Sequence, residues 1–467
     1  FSSSKKSEEV HDDDDKKDEE DEDFFASFER KFELEKAELA RRCDDRSRDD
    51  PHAVAASFAA RLADSDALGF DDLAAAARDT DLRSAARTVM DLLQTGRVEG
   101  YTAGNLDDSQ AAKFVEALEA YRVDSSSNKD TEEERVRLTV AVPRGADVAV
   151  ELRALRPSEA PRPTFLGETP PKLFRRKEEE RKKLVLLEEE KDIIDDDDEE
   201  DSDEDEESEP NSAVKLVWQL WQMGNDDEAR AAGWADSMER DAAFVLMQHL
   251  ASPSAFNQLR TVEQLGYYVH TEVDMYNGVH QFAVNAQSAK VGPVELEERV
   301  LAWLAKFRDQ LADPTSVTDE DLDSNKLGLA DAIFKRPTCL ADVVERDVAE
   351  VFSGRRFFTR RKRRATQIKH HTTREHLLKV IDDALLSESN RRLFKVRVYA
   401  PDLADQQLDD DKKNDDDAQQ VVNEKNTDGG PVRLRSFDDI KRFQAAHPRH
   451  PPPIRWNEAA SPDDPVP

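Results

Sequence analysis

The chain has 467 residues, a formal net charge of −35 and only two cysteines. This length accommodates two or three domains of ordinary size. The two cysteines, Cys43 and Cys339, lie far apart in sequence, which argues against a disulfide framework and predicts a reducing compartment, with the cytoplasm as the default. No apolar run approaches the roughly 20 residues of a membrane-spanning helix, so we expect no membrane partner. The sequence opens on Phe1 without an apolar signal core, and we expect it to be a fragment.

The acidity is concentrated in three windows of the sequence. Residues 12–23, 192–209 and 402–417 hold ten, fourteen and eight acidic side chains, respectively. Such runs cannot bury enough apolar surface to fold and are typical of disordered, solvated segments. The remaining residues are close to charge balance, so we predict a nearly neutral folded part that is interrupted by acidic insertions.

The first ordered block of the sequence is mainly helical. Apolar residues recur at spacings of three and four in residues 24–43 and 53–94, which predicts helices. A short strand ending at Gly104 and a helix from about Ser109 follow. Residues 136–152 alternate between apolar and polar side chains on both sides of a turn, which predicts a β-hairpin.

The second ordered block combines strands and helices. We predict a strand over 211–223, a helix over 234–252 and a hairpin that turns at the Asn-Gly pair of residues 277 and 278. An amphipathic helix over 294–311 and a closing strand over 391–400 complete the block. Strands joined by hairpins and followed by helices indicate the α+β class. One face of the first strand is expected to consist of Val214, Leu216, Trp218 and Leu220.

The segment HHTTREH invites a metal-site interpretation, because His371 and Glu375 share a helical spacing and His376 is adjacent. Neither spacing known from zinc proteases is present. An inverted box needs His at position 372, which is Thr, and the sequence has no His-Glu dipeptide. Thr372 and Glu375 instead match a capping box at the start of a helix. We favour the capping box over the metal site.

The strongest basic cluster is the segment GRRFFTRRKRR, residues 354–364. Its two aromatic residues are compatible with nucleic-acid binding or nuclear import. In a chain of net charge −35, pairing with the chain's own acidic runs or simple solvation is the commoner outcome, and we expect no nucleic-acid partner. The acidic run 192–209 has two similar interpretations, a surface that binds basic peptides and the commoner solvated spacer.

The segment AFNQLRTVEQLGYYV, residues 255–269, places Arg260 and Tyr267 at the edge of an apolar helix. Gly266 is a candidate helix terminator, and Tyr267 is predicted to begin a strand. Arginine supplies five donors in a fixed fork and a tyrosine hydroxyl both donates and accepts, so the pair suits a backbone carbonyl or a developing oxyanion. The alternative is a structural arginine that caps carbonyls. The apolar stripe consists of Phe256, Leu259 and Leu265.

Residues 253–269 resemble the helix-to-strand segment in the C-terminal half of the insulysin/pitrilysin-type zinc metallopeptidases, which include insulin-degrading enzyme and nardilysin. The string Phe-Asn-x-Leu-Arg-Thr-x-Glu-Gln-Leu-Gly-Tyr carries the resemblance. It covers roughly residues 24–156 and 211–450 with the acidic segments as insertions. Weaker similarity follows in chain order through residues 98–118, 311–340, 371–386 and 436–448.

The resemblance implies an α+β fold with two homologous domains, whose antiparallel or mixed sheets are covered by helices and form half of a clamshell around a peptide chamber. The predicted division is an acidic disordered head (1–23), a third family domain with the start of the next (24–156), an acidic insertion (157–210), a fourth family domain (211–400), an acidic linker (401–430) and a C-terminal tail (431–467).

The resemblance also assigns site residues. By position, Arg260 and Tyr267 match the pair implied to hold the substrate backbone and stabilise the tetrahedral intermediate, and Phe256 matches a residue lining a substrate pocket. In this family zinc sits in the N-terminal half, on an inverted His-x-x-Glu-His box that is missing here. We therefore expect zinc in the complete enzyme but none bound by this chain, which alone should be an inactive part of a metalloendopeptidase.

The expected partners follow from the same resemblance. They are peptide substrates, the N-terminal half of the same enzyme and a second copy of the chain in a homodimer. The alternative class is a non-catalytic protein that either captures extended peptides or uses its acidic runs as a scaffold for basic partners. Either function is compatible with the composition.

Overall fold

A computed structural model of the protein describes residues 9–46, 50–64, 66–95, 101, 103–119, 138–154, 164–166, 211–352, 357–404 and 432–451. In these residues seven strands form one sheet. Helices pack on both faces of the sheet and bury two apolar cores. The predicted α+β class, with a mixed sheet covered by helices, is confirmed.

Helices form the described residues up to 119. The helices predicted over 24–43, over 53–94 and from about Ser109 are confirmed, whereas most of the strand predicted to end at Gly104 lies outside the described residues. The first helix also continues through part of the acidic head 1–23, for which composition predicts disorder, because adding a residue to an existing helix costs far less than nucleating one. The bounds are α1 Glu9–Arg46, α2 Pro51–Ala63, α3 Phe70–Asp79, α4 Leu82–Thr95 and α5 Asp108–Glu119.

The sheet has the strand order β2-β1-β6-β3-β5-β4, and β7 pairs with β1. The pairs of β1 with β6 and with β7 are parallel, and the other neighbours are antiparallel. Strand β2 lies inside the segment predicted to be an acidic insertion. The bounds are β1 Val148–Arg153, β2 Thr164–Phe165, β3 Ser212–Gln222, β4 Val269–Tyr276, β5 Val279–Ser288, β6 Leu393–Tyr399 and β7 Val432–Leu434.

The hairpin predicted over residues 136–152 is wrong. In the described part of this segment, β1 pairs with β6, β7 and β2, and Val140 forms an antiparallel bridge with Arg449 instead. Alternation reports that one face of each run is buried, and Val140 and Val150 are indeed fully buried. The alternation does not indicate which strands pair with each other. Two buried runs that are close in sequence were therefore predicted to form one hairpin.

The helices of the second block surround the larger core. Two of them, α7 and α12, continue into short π-helical segments, Phe256–Val262 and Ile381–Leu386. The predicted amphipathic helix over 294–311 is confirmed as α8, whose apolar stripe is buried. The bounds are α6 Asp226–Ala231, α7 Ser237–Ala255, α8 Pro293–Ala312, α9 Asp319–Phe334, α10 Leu340–Phe352, α11 Arg360–His370, α12 Arg374–Val380 and α13 Phe437–Ala446.

The hairpin predicted at residues 277 and 278 is confirmed. Strands β4 and β5 pair along their full common length, and the φ angles of Asn277 and Gly278 are 48° and 82°. Positive φ at both central residues is the requirement of a type I′ turn, which Asn-Gly satisfies at low cost. The turn therefore fixes the register of the β4–β5 edge of the sheet.

Helix α2 joins the N-terminal block to the sheet. Its side chains Phe58 and Leu62 are buried in the second core together with Val217 of β3 and Val396 of β6. The larger core lies on the opposite face and includes Trp218 of β3. Residues of both blocks therefore build a single sheet domain, and α2 begins at the end of the sheet where β4 starts.

The capping box predicted for Thr372 and Glu375 is displaced by one residue. Thr373 is the N-cap of α12, and its backbone N–H donates to Nδ1 of His376 at 3.4 Å. The hydroxyl of Thr372 donates to the carbonyl oxygen of Gln367 at 3.2 Å. Because Thr372 is already used to end α11, the next residue opens α12.

The basic cluster pairs with carboxylates of the folded part. Arg360 contacts Glu350, and Arg364 binds Asp241 through two bonds of 2.6 and 2.9 Å. The predicted pairing with the acidic runs is thus wrong for these two arginines, because their partners belong to ordered helices of the folded part. The absence of a nucleic-acid partner stays a prediction.

Candidate functional site

The segment that connects α7 to β4 leaves the α-helical path at Phe256. In the π-helical segment the backbone N–H of Glu263 donates to the carbonyl oxygen of Gln258 at 2.9 Å, five residues earlier. The wider turn changes the direction in which successive side chains project, and single π-helical turns are frequent at functional sites. Leu259 is fully buried and anchors the segment in the larger core.

The segment that follows the π-helical residues packs closely against β5. Gln264 adopts a left-handed conformation with φ of 53°, and Lys290 donates to its carbonyl oxygen at 3.2 Å. A Cβ atom at Gly266 would lie 1.8 Å from the carbonyl oxygen of Gln287. The interpretation of Gly266 as helix terminator is therefore wrong. Glycine is required there because the backbone of β5 approaches too closely for any side chain.

Tyr267 lies before the strand and not at its first position, because β4 begins at Val269. Its side chain is 86% exposed, and that of Phe256 is 44% exposed. The guanidinium carbon of Arg260 lies 4.5 Å from the centre of the Phe256 ring and 4.4 Å from the centre of the Tyr267 ring. The structure thus brings together all three site residues predicted from the sequence, with the cation between two aromatic rings.

This arrangement leaves the hydrogen-bonding edge of Arg260 uncommitted. Among the described residues, no carbonyl or carboxylate oxygen accepts a hydrogen bond from its guanidinium. The alternative role of a structural arginine that caps carbonyls therefore has no support in this part of the chain. A guanidinium held by ring faces keeps its planar fork of donors available for a carbonyl or carboxylate of a ligand.

A polar network on the opposite side of the π-helical segment fixes its orientation. The side-chain amide of Gln258 donates to Glu263 at 2.8 Å and accepts from Lys306 at the same distance. Arg299 lies 3.6 Å from Glu263, and both basic residues belong to α8. The segment is thus held by α8 on one side while its Arg260 side projects to solvent.

Sequence reasoning missed three residues on the other face of the same junction. His52 of α2 stacks on Tyr268, with ring centres 3.7 Å apart and planes inclined by 24°. The oxygen of the Gln287 side chain lies 2.9 Å from Nδ1 of His52. Burial raises the pKa of Tyr268, and nearby Glu272 raises it further. No local signal links His52 to this site, because more than 200 residues separate it from Tyr268 in the chain.

The described residues contain no group of three or more His, Cys, Asp or Glu side chains arranged to hold a metal ion. The sequence-based candidates His371 and Glu375 therefore offer no zinc site with the side chains around them. None of the helices in the described residues is both long and apolar enough to cross a bilayer.

Comparisons with known proteins match the segment that carries the site. Residues 246–348 match the family profile described as PQQ synthase PqqF-like, C-terminal lobe domain 4. A nardilysin-like protein of Arabidopsis thaliana is 32% identical over 136 residues, which are 29% of this chain and 12% of that protein. The peroxisomal insulin-degrading enzyme-like protein 1 of the same plant is 24% identical over 216 residues, or 46% of this chain and 20% of that protein.

Part of the chain is similar to the C-terminal half of insulysin/pitrilysin-type metallopeptidases. The resemblance drawn from the sequence is thus confirmed. A Schizosaccharomyces pombe protein named as a zinc protease is 25% identical over 235 residues, which are 50% of this chain and 23% of that protein. The name of this relative includes zinc, whereas the described residues of this chain contain no group that could hold the metal.

The fold agrees with this relationship. The crystal structure of pitrilysin superposes with a TM-score of 0.59 at 15% identity and covers 90% of this chain, which in turn covers 35% of pitrilysin. The chain thus spans about a third of a solved insulysin/pitrilysin-type structure and a smaller share of the curated relatives it matches. The activity and partners of a whole insulysin-type enzyme accordingly enter only as proposals.

Proposed function

We propose that this chain is the C-terminal, substrate-binding half of an insulysin-like zinc metalloendopeptidase that cleaves peptides in an enclosed chamber. Its zinc-binding half would lie on the same polypeptide or on a partner. The observation that supports this proposal is the exposed cluster of Arg260 between the rings of Phe256 and Tyr267, in the segment that matches the family.

The chemistry of the three side chains suits a peptide backbone. Arg260 donates to a backbone carbonyl of the substrate, and a charge-assisted hydrogen bond of this kind is worth about 1.5–3 kcal/mol. The Tyr267 hydroxyl donates to the oxygen that becomes negatively charged in the tetrahedral intermediate. Phe256 provides an apolar wall for a substrate side chain.

The catalytic metal has no place in the described part of this chain, and so we assign no step of the reaction to zinc here. In this proposal the chain binds and orients the peptide and stabilises charge, and hydrolysis requires the other half. The chain alone is then an inactive peptide-binding protein, and its ligands are peptides and the N-terminal half.

The test is reconstitution with an insulysin-type N-terminal half and a quenched fluorescent peptide. We expect turnover only from the mixture, and we expect Arg260→Ala and Tyr267→Phe each to lower it by about a hundredfold. Arg230→Ala is the matched control, because Arg230 is a 57%-exposed arginine on α6 that pairs with neighbouring acids of its own helix. Unchanged turnover in both site variants would refute the assigned roles.

A further inference from the structure

We propose that His52 and Gln287 are positioning residues. They hold Tyr267 in the orientation that its proposed role requires, from the other face of the β4–β5 edge of the sheet. This inference rests on the proposed function, because it concerns the orientation of the tyrosine to which we assign the oxyanion. It assigns a task in the site to helix α2, which belongs to the N-terminal block of the chain.

Gln287 contacts the chain on both sides of Tyr267. Its carbonyl oxygen lies against Gly266, where a Cβ atom would approach to 1.8 Å. Its backbone N–H donates to the carbonyl oxygen of Tyr268 at 3.0 Å. Tyr268 is thus hydrogen-bonded to a residue of β5 against which Gly266 also packs, while the Tyr267 side chain itself is 86% exposed. The position of this exposed side chain therefore depends on its backbone.

His52 fixes Gln287 and Tyr268 together. The Gln287 side-chain oxygen accepts from the backbone N–H of His52 at 3.2 Å, which satisfies one of the free donors in the first turn of α2. The imidazole then covers the Tyr268 ring at 3.7 Å. Aromatic pairs of this kind contribute about 0.5–1.5 kcal/mol beyond the area they bury. The histidine thus closes a clamp around the residue next to Tyr267.

The hydrogen bonds also define the chemical state of the clamp. A backbone N–H is always a donor, so the Gln287 atom facing His52 is the carbonyl oxygen and not the amide nitrogen. Nδ1 of His52 lies 2.9 Å from the same oxygen and must therefore carry a proton. An aromatic side chain at position 52 that cannot donate a hydrogen bond would keep the stack on Tyr268 but lose the bond to the Gln287 side chain.

Loss of the His52 clamp would disturb the orientation of Tyr267 without removing a group that binds the substrate. When His52 is replaced by Ala, the stack on Tyr268 and the contact of Nδ1 with Gln287 are lost, and only backbone hydrogen bonds still hold the chain around Tyr267, which gains freedom. A displacement of about 1 Å of a catalytic group costs up to a hundredfold in rate. We therefore expect His52→Ala to lower kcat about 10- to 100-fold with little change in KM. His52→Phe keeps the stacked ring and should recover part of the loss.

The experiment combines turnover of the reconstituted enzyme with hydrogen–deuterium exchange of the full chain. Leu62→Ala is the control, since Leu62 also lies on α2 and is 1% exposed but belongs to the core below. We expect faster exchange at the amides of residues 267 and 268 in His52→Ala and not in Leu62→Ala. The same change in exchange and turnover in both variants would overturn the inference, because a general loosening of α2 would then explain it.

The outcomes separate the inference from the function on which it rests. If Arg260→Ala and Tyr267→Phe each lower turnover by about a hundredfold while His52→Ala alters neither kcat nor exchange, the positioning role is overturned and the proposed function stands. If His52→Ala speeds exchange at residue 267 but neither Arg260→Ala nor Tyr267→Phe changes turnover, both the proposed function and the positioning role are refuted.

Discussion

The guanidinium carbon of Arg260 lies 4.4 Å from the centre of the Tyr267 ring, across the end of a π-helical segment and a left-handed residue. The ring of Phe256 lies on the other side at 4.5 Å. The cation is held by ring faces, and no described oxygen competes for its donors. Under the proposed function, these donors are the ones that bind the substrate backbone.

Replacing Arg260 by Lys tests whether the planar fork matters or only the charge. A lysine ammonium keeps the charge but cannot lie flat between two rings or form two parallel bonds. We expect kcat/KM of the reconstituted enzyme to fall about tenfold, in keeping with the loss of one charge-assisted bond. Arg230→Lys on the surface of α6 should leave it unchanged. Full activity of Arg260→Lys would show that a point charge is sufficient.

Gly266→Ala is predicted to be strongly destabilising. The added methyl group would lie 1.8 Å from the backbone oxygen of Gln287, which cannot move without disturbing β5. We expect a loss of about 3 kcal/mol or more in the free energy of unfolding, measured by urea denaturation.

The matched control for this glycine is Gly328→Ala, in the middle of α9. A Cβ atom there meets nothing within 4 Å. Alanine is favoured over glycine inside helices, so this variant should be more stable by about 0.5–1 kcal/mol. Equal effects of the two substitutions would mean that residues 266 and 287 do not approach each other as closely as described.

Asp241→Asn is predicted to destabilise the folded chain by about 3–5 kcal/mol, because it leaves the largely buried guanidinium of Arg364, whose side chain is 14% exposed, without its counter-charge. Asp241 is 1% exposed and lies 3.0 Å from Nε2 of His280. Asp382→Asn serves as control. Asp382 pairs with Arg308 at 2.9 Å near the surface, where such pairs contribute about 0.2–1 kcal/mol. Similar losses of unfolding free energy in Asp241→Asn and Asp382→Asn would contradict the prediction that burial makes the Asp241 pair the more important one.

The same aspartate predicts an acid-dependent loss of stability. Burial alone would raise the pKa of Asp241, but Arg364 and His280 lower it below the ordinary 3.8. A carboxyl group with a lowered pKa contributes stability above its unfolded value, and the contribution declines as pH falls below that value. We expect the urea concentration at the midpoint of unfolding to decrease in the parent chain as the pH is lowered below about 4. In Asp241→Asn this midpoint should depend less on pH.

His450 predicts a pH effect in a different window. Burial, together with the smaller effect of the nearby charges of Arg392 and Arg144, lowers its pKa from 6.5 to about 4. A histidine with a lowered pKa is neutral in the fold, so its stability contribution is complete above pH 6.5 and declines as pH falls towards 4. The loss is at most about 3 kcal/mol. We expect His450→Gln to flatten the pH dependence of urea unfolding between these values, and an unchanged slope would contradict the assignment.

Local patterns predicted the elements whose contacts are local. The stripe of α8 repeats at helical spacing, and the Asn-Gly pair at residues 277 and 278 encodes its own turn, so both could be located from the sequence. The site residues Phe256, Arg260 and Tyr267 lie within one short segment, and the family resemblance could identify them together.

Contacts between distant segments were decided only by the tertiary structure. The parallel pairing of β1 with β6 joins strands about 240 residues apart, and no alternation pattern states which strand lies beside which. The sequence analysis interpreted Gly266 as a helix terminator, because the carbonyl group of Gln287 that requires a glycine there belongs to a different strand. His52 could not be assigned to the site for the same reason. The sequence by itself thus determined which short segments form helices, turns and the Arg260 cluster, whereas packing of α2 against the β4–β5 edge decided what surrounds that cluster.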